Sequence, residues 1–294
     1  MNARCFAVPL LGGWLALAGA PSGAVLLHVE KSLYRNITVF EDDGLRCMKF
    51  GRRAGGRQTC VSLSDRNHLV FDYTRMMMAA LYLNPSPQRI LMVGMGGGTL
   101  PTTLQQILPA AKIDIVEIDP AVVRIARKYF GFVPGPHTEV FEEDGRVFVK
   151  RMHKQGKQYD LVLLDAFDHE YIPEHLLTRE FLLEVRGLLP ARGVLAANTF
   201  STSRLYDYES ATYFSAFGDF YGMKRSNRVI LVRIGGLADR DELGRNADVW
   251  EDRLARFGVG RQWLLPQIEV ESGWPPNTRV LTDQYSPSNL LNGI

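Results

Sequence analysis

The chain has 294 residues, of which 46% are hydrophobic and 22% are charged, a composition typical of a globular protein. This balance excludes collagen-like and disordered chains. With 34 Lys and Arg against 32 Asp and Glu, the net charge of +2 gives no reason to expect nucleic acid or an anionic membrane as a partner. The three cysteines are too few for a disulfide scaffold and lack the close pairing of a zinc site, so stability must come from an apolar core.

The N-terminal segment has two interpretations. An apolar run follows Arg4 and ends in an A-x-A-like sequence at residues 18–20, which is suited to signal peptidase. The run is short for a membrane span. Residues 1–23 are therefore either a secretory signal or a disordered or buried start of a cytoplasmic protein. If the segment is cleaved, Cys47 and Cys60 remain and could pair.

Short β-strands are predicted next, in the segments VLLHVE, RNITVFED, LRCMKFG and RQTCVSL, with a turn at Asp43-Gly44. They indicate a small antiparallel N-terminal β-domain over residues 24–66. A helix is predicted over residues 69–83, which the Asn-Pro-Ser-Pro segment at 84–87 ends. The methionines at 76–78 are expected in its core-facing surface.

From residue 89 the pattern changes, because apolar strand segments alternate with helical segments. The predicted strands are RILMVG, KIDIVEI, TEVFE, YDLVLLD, GVLAANTF and NRVILVRI, and the predicted helices follow Gly98 and Asp144 or span residues 120–129, 179–189 and 206–217. Strands buried on both faces and separated by helices predict a doubly wound α/β domain with a parallel sheet. We expect this domain over residues 67–234. Residues 235–294 are expected to form a helix over 240–257 and a tail, both packed on the α/β domain.

A glycine-rich loop joins the first of these strands to its helix. Such a loop lets the backbone pass close to a ligand, and its glycines are Gly94, Gly96, Gly97 and Gly98. Thr99 stands where the dinucleotide fingerprint needs a glycine, so the G-x-G-x-G spacing favours a nucleoside. Glu117 ends the next strand, where a carboxylate can accept hydrogen bonds from two ribose hydroxyls. Asp119 precedes Pro120 and is predicted to be a helix N-cap.

Asp144 follows the third strand of the domain. Its carboxylate could accept a hydrogen bond from an adenine amino group, and it could equally cap the following helix. Together with Glu117 and the glycine loop, which follow consecutive strands, it predicts a nucleoside pocket at the carboxyl ends of the strands.

Two further acids, Asp165 and Asp168, end the fourth strand and begin the loop after it. Two carboxylates at a nucleoside pocket suggest a cationic co-substrate. An amine with a pKa of roughly 10.4 is almost fully protonated at neutral pH. Removing a proton to free the nucleophilic nitrogen lone pair therefore costs about 4–5 kcal/mol. A carboxylate that anchors the ammonium and accepts its proton addresses this cost. Tyr171 and Glu174 could line a tunnel for the amine, or could be ordinary loop residues.

Taken in order, LMVGMGGGTLP, VEIDP, EEDG and YDLVLLDAFD resemble the spermidine/spermine synthases, the polyamine aminopropyltransferases. The resemblance implies a Rossmann-like, S-adenosylmethionine-methyltransferase-type fold. It also implies aminopropyl transfer from decarboxylated S-adenosylmethionine to putrescine or a related amine, without a metal. Glu117 would then hold the ribose, Asp144 the adenine and Asp168 the diamine, with Asp165 as base. The same resemblance implies a homodimer and a cytoplasmic location, against the exported alternative.

The sequence departs from the family's pattern in three places. The family's glycine loop, GGGDGG, carries an aspartate that meets the aminopropyl ammonium, whereas the loop here has no acid. The family's Tyr-His-Glu is only partly matched, by Tyr73 as a substrate contact, and Arg75 adds a positive charge near the proposed cation site. The loop after Asp165 also differs. Two alternatives therefore stay open, which are an S-adenosylmethionine-dependent methyltransferase and a nucleoside-binding relative without turnover.

Overall fold

A computed structural model describes residues 23–51, 56–167 and 172–293. Most of the predicted segment 1–23 lies outside the described residues. Within the described part, four strands form a small sheet and eight form a larger one. None of the helices in these ranges is both long enough and apolar enough to cross a membrane.

The small sheet is antiparallel, and its strands are neighbours in chain order. They are β1 (Val25–Lys31), β2 (Asn36–Asp42), β3 (Leu45–Phe50) and β4 (Arg57–Ser62). Asp43 and Gly44 both have positive φ, 50° and 72°, as a two-residue hairpin turn requires, so the predicted turn is confirmed. Cys47 and Cys60 lie opposite each other on β3 and β4 and form a disulfide.

The helix predicted over residues 69–83 is two short helices, α1 (Asp72–Met77) and α2 (Ala80–Leu83), joined by a turn. The first begins later than predicted because Leu69 still forms a β-bridge with Val61 of the small sheet. Met76, Met77 and Met78 are buried in the core, as predicted.

The larger sheet confirms the predicted α/β fold class. Its strands are β5 (Arg89–Val93), β6 (Lys112–Val116), β7 (Thr138–Phe141), β8 (Leu161–Leu164), β9 (Val194–Phe200), β10 (Tyr221–Lys224), β11 (Asn227–Arg233) and β12 (Glu269–Val270). Their order across the sheet is β12-β10-β11-β9-β8-β5-β6-β7. The five strands from β5 to β9 are parallel.

Three strands depart from the predicted all-parallel sheet. β11 pairs antiparallel with β9, and β10 pairs antiparallel with both β11 and β12. For β10 and β11 the physical reason is their tight connection, since two residues can join antiparallel strands but cannot make a parallel crossover. The C-terminal region thus contributes β12 to the edge of the larger sheet.

Helices cover both faces of this sheet. Among them, α1 and α2 contact β9. The other helices of the described chain are α3 (Thr99–Ile107), α4 (Pro120–Ile125), α5 (Gly145–Lys154), α6 (Arg179–Arg186), α7 (Leu205–Phe217), α8 (Arg240–Ala255), α9 (Arg261–Leu264) and α10 (Ser288–Leu291). The side chains of β5 alternate between two cores, with Ile90 and Met92 in one and Leu91 and Val93 in the other. This period of two is what a strand buried on both faces produces. The parallel pairing of β5 with β6 and β8 places the carboxyl ends of these three strands at one edge.

Candidate active site

The glycine loop packs directly against the end of β8. Gly94 has φ +87°, and a Cβ there would lie 2.1 Å from the backbone oxygen of Asp165. Its N–H donates to the carbonyl of Val116 (2.8 Å), and the N–H of Asp165 donates to the carbonyl of Val93 (2.8 Å). A side chain at Gly94 would force these strand ends apart, so the glycine is what lets the glycine loop lie next to Asp165.

The rest of the glycine loop explains why it carries no acid. The Gly97 N–H donates to Thr59 Oγ1 (3.0 Å), and a Cβ at Gly97 would lie 2.2 Å from Thr59 Cγ2. The small sheet therefore occupies the space that a side chain at Gly97 would need. Gly96 lines the cavity, whereas Gly98 precedes α3 and packs on Phe132.

Glu117 lies at the end of β6 with only 9% of its surface exposed. Its carboxylate accepts hydrogen bonds from the backbone N–H groups of Met95 (3.3 Å) and Asp119 (3.0 Å). Burial raises the pKa of Glu117, and these two hydrogen bonds oppose the rise. Asp119 caps α4 by accepting from the Ala121 N–H (3.0 Å), which confirms its predicted role. Of the two acids, Glu117 lines the cavity.

Asp144 caps the following helix, as one of its two interpretations predicted, and its contact with an adenine stays a prediction. Oδ1 caps α5 by accepting from the N–H groups of Arg146 (2.9 Å) and Val147 (3.0 Å). Oδ2 lies 2.9 Å from Nε2 of His175, and that hydrogen bond is the main cause of the lowered pKa of Asp144. Both side chains line the cavity. The sequence did not identify His175 as part of this site.

Asp165 ends β8 at the bottom of the cavity, and the partners that the structure describes for it are neutral. Asn198 Nδ2 donates to Asp165 Oδ1 (2.9 Å), and Asn198 Oδ1 accepts from Asn227 Nδ2 (3.0 Å). The Tyr73 hydroxyl also faces the Asp165 carboxylate and helps to lower its pKa. Burial raises the pKa of Asp165 to about 6, against the lowering effect of Asn198 and Tyr73. An acid enclosed among neutral groups gains most from a bound cation.

The start of α1 places Asp72 and Tyr73 in the cavity wall. Arg75 does not share that wall. Its guanidinium forms an ion pair with Asp72 and lies 4.8 Å from the ring centroid of Trp263. Arg75 was expected to add a positive charge near the cation site, and the structure shows that Asp72 balances that charge.

One cavity of about 430 Å³ collects the predicted nucleoside residues and the predicted base. Glu117, Asp144, Asp165 and Tyr73 all line it. The other two predicted substrate contacts, Asp168 and Tyr171, lie outside the described residues. Within the described ranges no three His, Cys, Asp or Glu side chains are placed to hold a metal ion, and the metal-free reaction stays a prediction.

Comparison with known proteins identifies the family. The family model described as spermine/spermidine synthase domain matches residues 70–233. The chain belongs to the spermine/spermidine synthase family. The predicted family is thereby confirmed. Among its relatives, a polyamine aminopropyltransferase of Vibrio vulnificus is 46% identical over 274 residues, which cover 91% of this chain and 92% of the relative.

Solved structures agree on the fold of this spermine/spermidine synthase family member. A probable spermidine synthase from Corynebacterium glutamicum has a TM-score of 0.67 at 17% identity, covering 88% of this chain and 97% of that one. Human methyltransferase-like protein 13 in complex with SAH has a TM-score of 0.58 at 24% identity, covering 70% and 96%. At these identities the likeness shows the fold alone.

Proposed function

We propose that this protein is a polyamine aminopropyltransferase, which transfers the aminopropyl group of decarboxylated S-adenosylmethionine to putrescine or a related amine. The observation that carries the proposal is the position of Asp165. It lies beside the glycine loop in the same cavity as Glu117 and Asp144, with neutral partners among the described residues. The family and its 46% identical relative support the same activity.

The cavity fits an adenosyl group. Glu117 offers a buried carboxylate for the two ribose hydroxyls, and Asp144 offers an oxygen toward the adenine amino group beside His175. The backbone at Gly94 and Gly96 leaves room for close approach of the ligand, since neither residue has a side chain. The donor itself contributes the sulfonium, whose positive charge lets the sulfur leave as a neutral thioether.

Asp165 performs the proton transfer in this reaction. Its carboxylate holds the ammonium of the amine and accepts one proton from it. The freed nitrogen lone pair attacks the carbon next to the sulfonium, so a C–N bond forms as the C–S bond breaks. The sulfur keeps the bonding electrons and leaves as methylthioadenosine. The proton on Asp165 then passes to water.

A raised pKa at the base predicts a pH dependence. Because Asp165 must be deprotonated to act and its pKa is about 6, kcat/KM is expected to fall about tenfold per pH unit below that value. Asn198 lowers the pKa of Asp165, so Asn198→Ala should move this acid limb to higher pH. Asn227→Ala, which removes a contact of Asn198 but no described contact of Asp165, serves as the control. If the acid limb of the pH profile of kcat/KM lies at the same pH in Asn198→Ala as in the wild type, Asp165 is not the group that titrates there.

A specific observation keeps a methyltransferase as the second candidate. The glycine loop has no acid to meet an aminopropyl ammonium, and two cations line the cavity, Arg35 and Arg57, of which Arg57 forms an ion pair with Asp42. A cation suits the carboxylate of intact S-adenosylmethionine better than an ammonium. The nucleoside binder without turnover shares the same pocket.

The released nucleoside distinguishes these functions. Purified protein is given decarboxylated S-adenosylmethionine with putrescine, and separately intact S-adenosylmethionine with a cell extract. Methylthioadenosine that requires putrescine is the expected product. S-adenosylhomocysteine instead would identify a methyltransferase, and binding of methylthioadenosine without either product would favour the binding-only relative.

The homodimer and the absence of nucleic acid stay predictions. In the described part of the chain, β1 is an edge strand of the small sheet, and it exposes Val25, Leu26 and Val29. An open edge with apolar side chains favours pairing with a second copy of the chain. Light scattering should give twice the 33.1 kDa chain mass, and a mass of one chain would remove the dimer.

The cytoplasmic location also stays a prediction. The disulfide between Cys47 and Cys60 favours the exported alternative, because disulfides persist in oxidising compartments. Mass spectrometry of protein from its own cell separates the two. Cleavage near Ala20 with an intact disulfide would support export, whereas an uncleaved chain with two free thiols would support the cytoplasm.

A further inference from the structure

The C-terminal tail, residues 281–291, lies against one wall of the cavity and outside the part of the chain that the family model matches. We propose that Asn289 is a positioning residue, which through this tail fixes the wall formed by residues 172–177 and thereby sets the affinity for the donor's adenosyl group. The inference rests on the proposed function, because it takes the adenosyl group to occupy the end of the cavity that Asp144 lines.

The wall contributes side chains to the cavity but has little regular structure of its own. Pro173, His175 and Leu176 line the cavity, and His175 hydrogen-bonds to Asp144. Its one regular element is a single 3₁₀ turn, Glu174–Leu176. Because so short a turn has few hydrogen bonds of its own, contacts from elsewhere must set where His175 and Leu176 lie.

Asn289 supplies such contacts with both ends of its side-chain amide. Its Oδ1 accepts from the Ile172 N–H (2.8 Å), and its Nδ2 donates to the Ile172 carbonyl (3.1 Å). The same Nδ2 donates to Oε1 of Glu174 (3.1 Å), which also accepts from the Asn289 N–H (3.2 Å). The side chain thus satisfies both backbone groups of a fully buried residue, as a neighbouring strand would. Glu174 faces the tail and does not line the cavity.

A second set of contacts attaches the tail to the buried guanidinium of Arg146. Asp283 accepts two hydrogen bonds from the Arg146 guanidinium (2.7 and 2.8 Å) and one from the Thr178 hydroxyl (2.7 Å). Arg146 also donates to the carbonyl of His175 (3.2 Å) and forms an ion pair with Glu184. Arg146 follows the Asp144 cap by two residues, so one guanidinium joins the tail, the wall and the helix start that carries Asp144. The tail is therefore attached at both ends of the wall, through Asn289 at Ile172 and through Asp283 at Thr178.

The test compares Asn289→Ala with Leu290→Ala, a matched change at a neighbour that is 79% exposed. In Asn289→Ala, the Kd for methylthioadenosine and the KM for the donor are expected to rise about 5–30-fold. The amine KM and kcat at saturating substrates should change little, and Leu290→Ala should behave as wild type. Unchanged donor affinity in Asn289→Ala, or equal changes in all constants with loss of folding, would overturn the inference.

Exchanging the amide and the acid between Asn289 and Glu174 separates positioning from a merely structural role. Asn289→Asp keeps the acceptor for the Ile172 N–H but places a second negative charge beside Glu174. Adding Glu174→Gln supplies a donor again, so the double variant should recover part of the donor affinity that Asn289→Asp loses. Additive losses in the double variant would contradict the proposed contact.

Hydrogen exchange distinguishes failure of this inference from failure of the proposed function. In Asn289→Ala, but not in Leu290→Ala, the backbone N–H groups of Ile172 and of residues 174–177 should exchange faster, whether or not the protein turns over an amine. A wild-type protein that binds no methylthioadenosine would refute the function, while unchanged exchange in Asn289→Ala would refute the positioning role.

Discussion

Replacing Asp165 with asparagine is expected to lower kcat by about 10²–10⁴-fold while the Kd for methylthioadenosine stays within about twofold. The two side chains have the same shape, and the amide oxygen can still accept the hydrogen bond from Asn198. What is lost is the negative charge that holds the ammonium and the basic oxygen that accepts its proton. Steady-state kinetics and calorimetric binding of methylthioadenosine measure the two effects separately.

A matched change at another cavity aspartate controls for loss of charge in general. Asp72 lines the same cavity, but its charge is already balanced by Arg75. Asp72→Asn should therefore reduce kcat far less than Asp165→Asn does. If Asp165→Asn instead weakens nucleoside binding and leaves kcat intact, Asp165 is not the base.

The order of elements in the candidate site was predictable because its residues follow buried strands. Parallel strands put their carboxyl ends at one edge, so the glycine loop, Glu117, Asp144 and Asp165 had to meet once β5 to β8 were recognised. The Asp119 cap was equally local, since Pro120 follows it directly.

The missing parts of the site come from contacts that no local pattern encodes. Thr59 reaches Gly97 from the small sheet, 38 residues earlier in the chain, and only the packing of the two sheets creates that contact. His175 gained its place from a tertiary hydrogen bond to Asp144. One signal was available for Asn198, which is a polar residue within the otherwise apolar strand β9 beside β8.

The small β-sheet changes how the family's pattern applies to this chain. A carboxylate in the glycine loop would need room at a position such as Gly97, where Thr59 Cγ2 would lie 2.2 Å from the new Cβ. The loop therefore could not regain that acid without a change in the sheet. Asp165 has neutral partners among the described residues, whereas the charge of Arg35 acts on Glu117 and opposes the rise of its pKa, so Asp165 is the cavity carboxylate best placed to meet the positive charge of the substrates.

Glu117→Gln is expected to show the reverse of the Asp165 pattern. Its carboxylate is the proposed acceptor for both ribose hydroxyls, and losing the charge weakens two charge-assisted hydrogen bonds. The Kd for methylthioadenosine should rise about 10–100-fold, while kcat at saturating donor should change less than about threefold. The backbone N–H groups of Met95 and Asp119 can still donate to the amide oxygen, so the strand end should keep its shape.

Asp119 provides the matched control for Glu117, because it is an acid two residues away that caps a helix. Asp119→Asn keeps a good N-cap and should leave nucleoside affinity unchanged. Titration calorimetry on both variants measures the difference directly. Affinity in Glu117→Gln equal to that of the wild type would place the ribose elsewhere, and it would leave Glu117 as a strand-end carboxylate whose pKa is raised mainly by burial. Opposite patterns in Asp165→Asn and Glu117→Gln would instead divide the cavity into a reacting end and a nucleoside end, as the proposed transfer reaction requires.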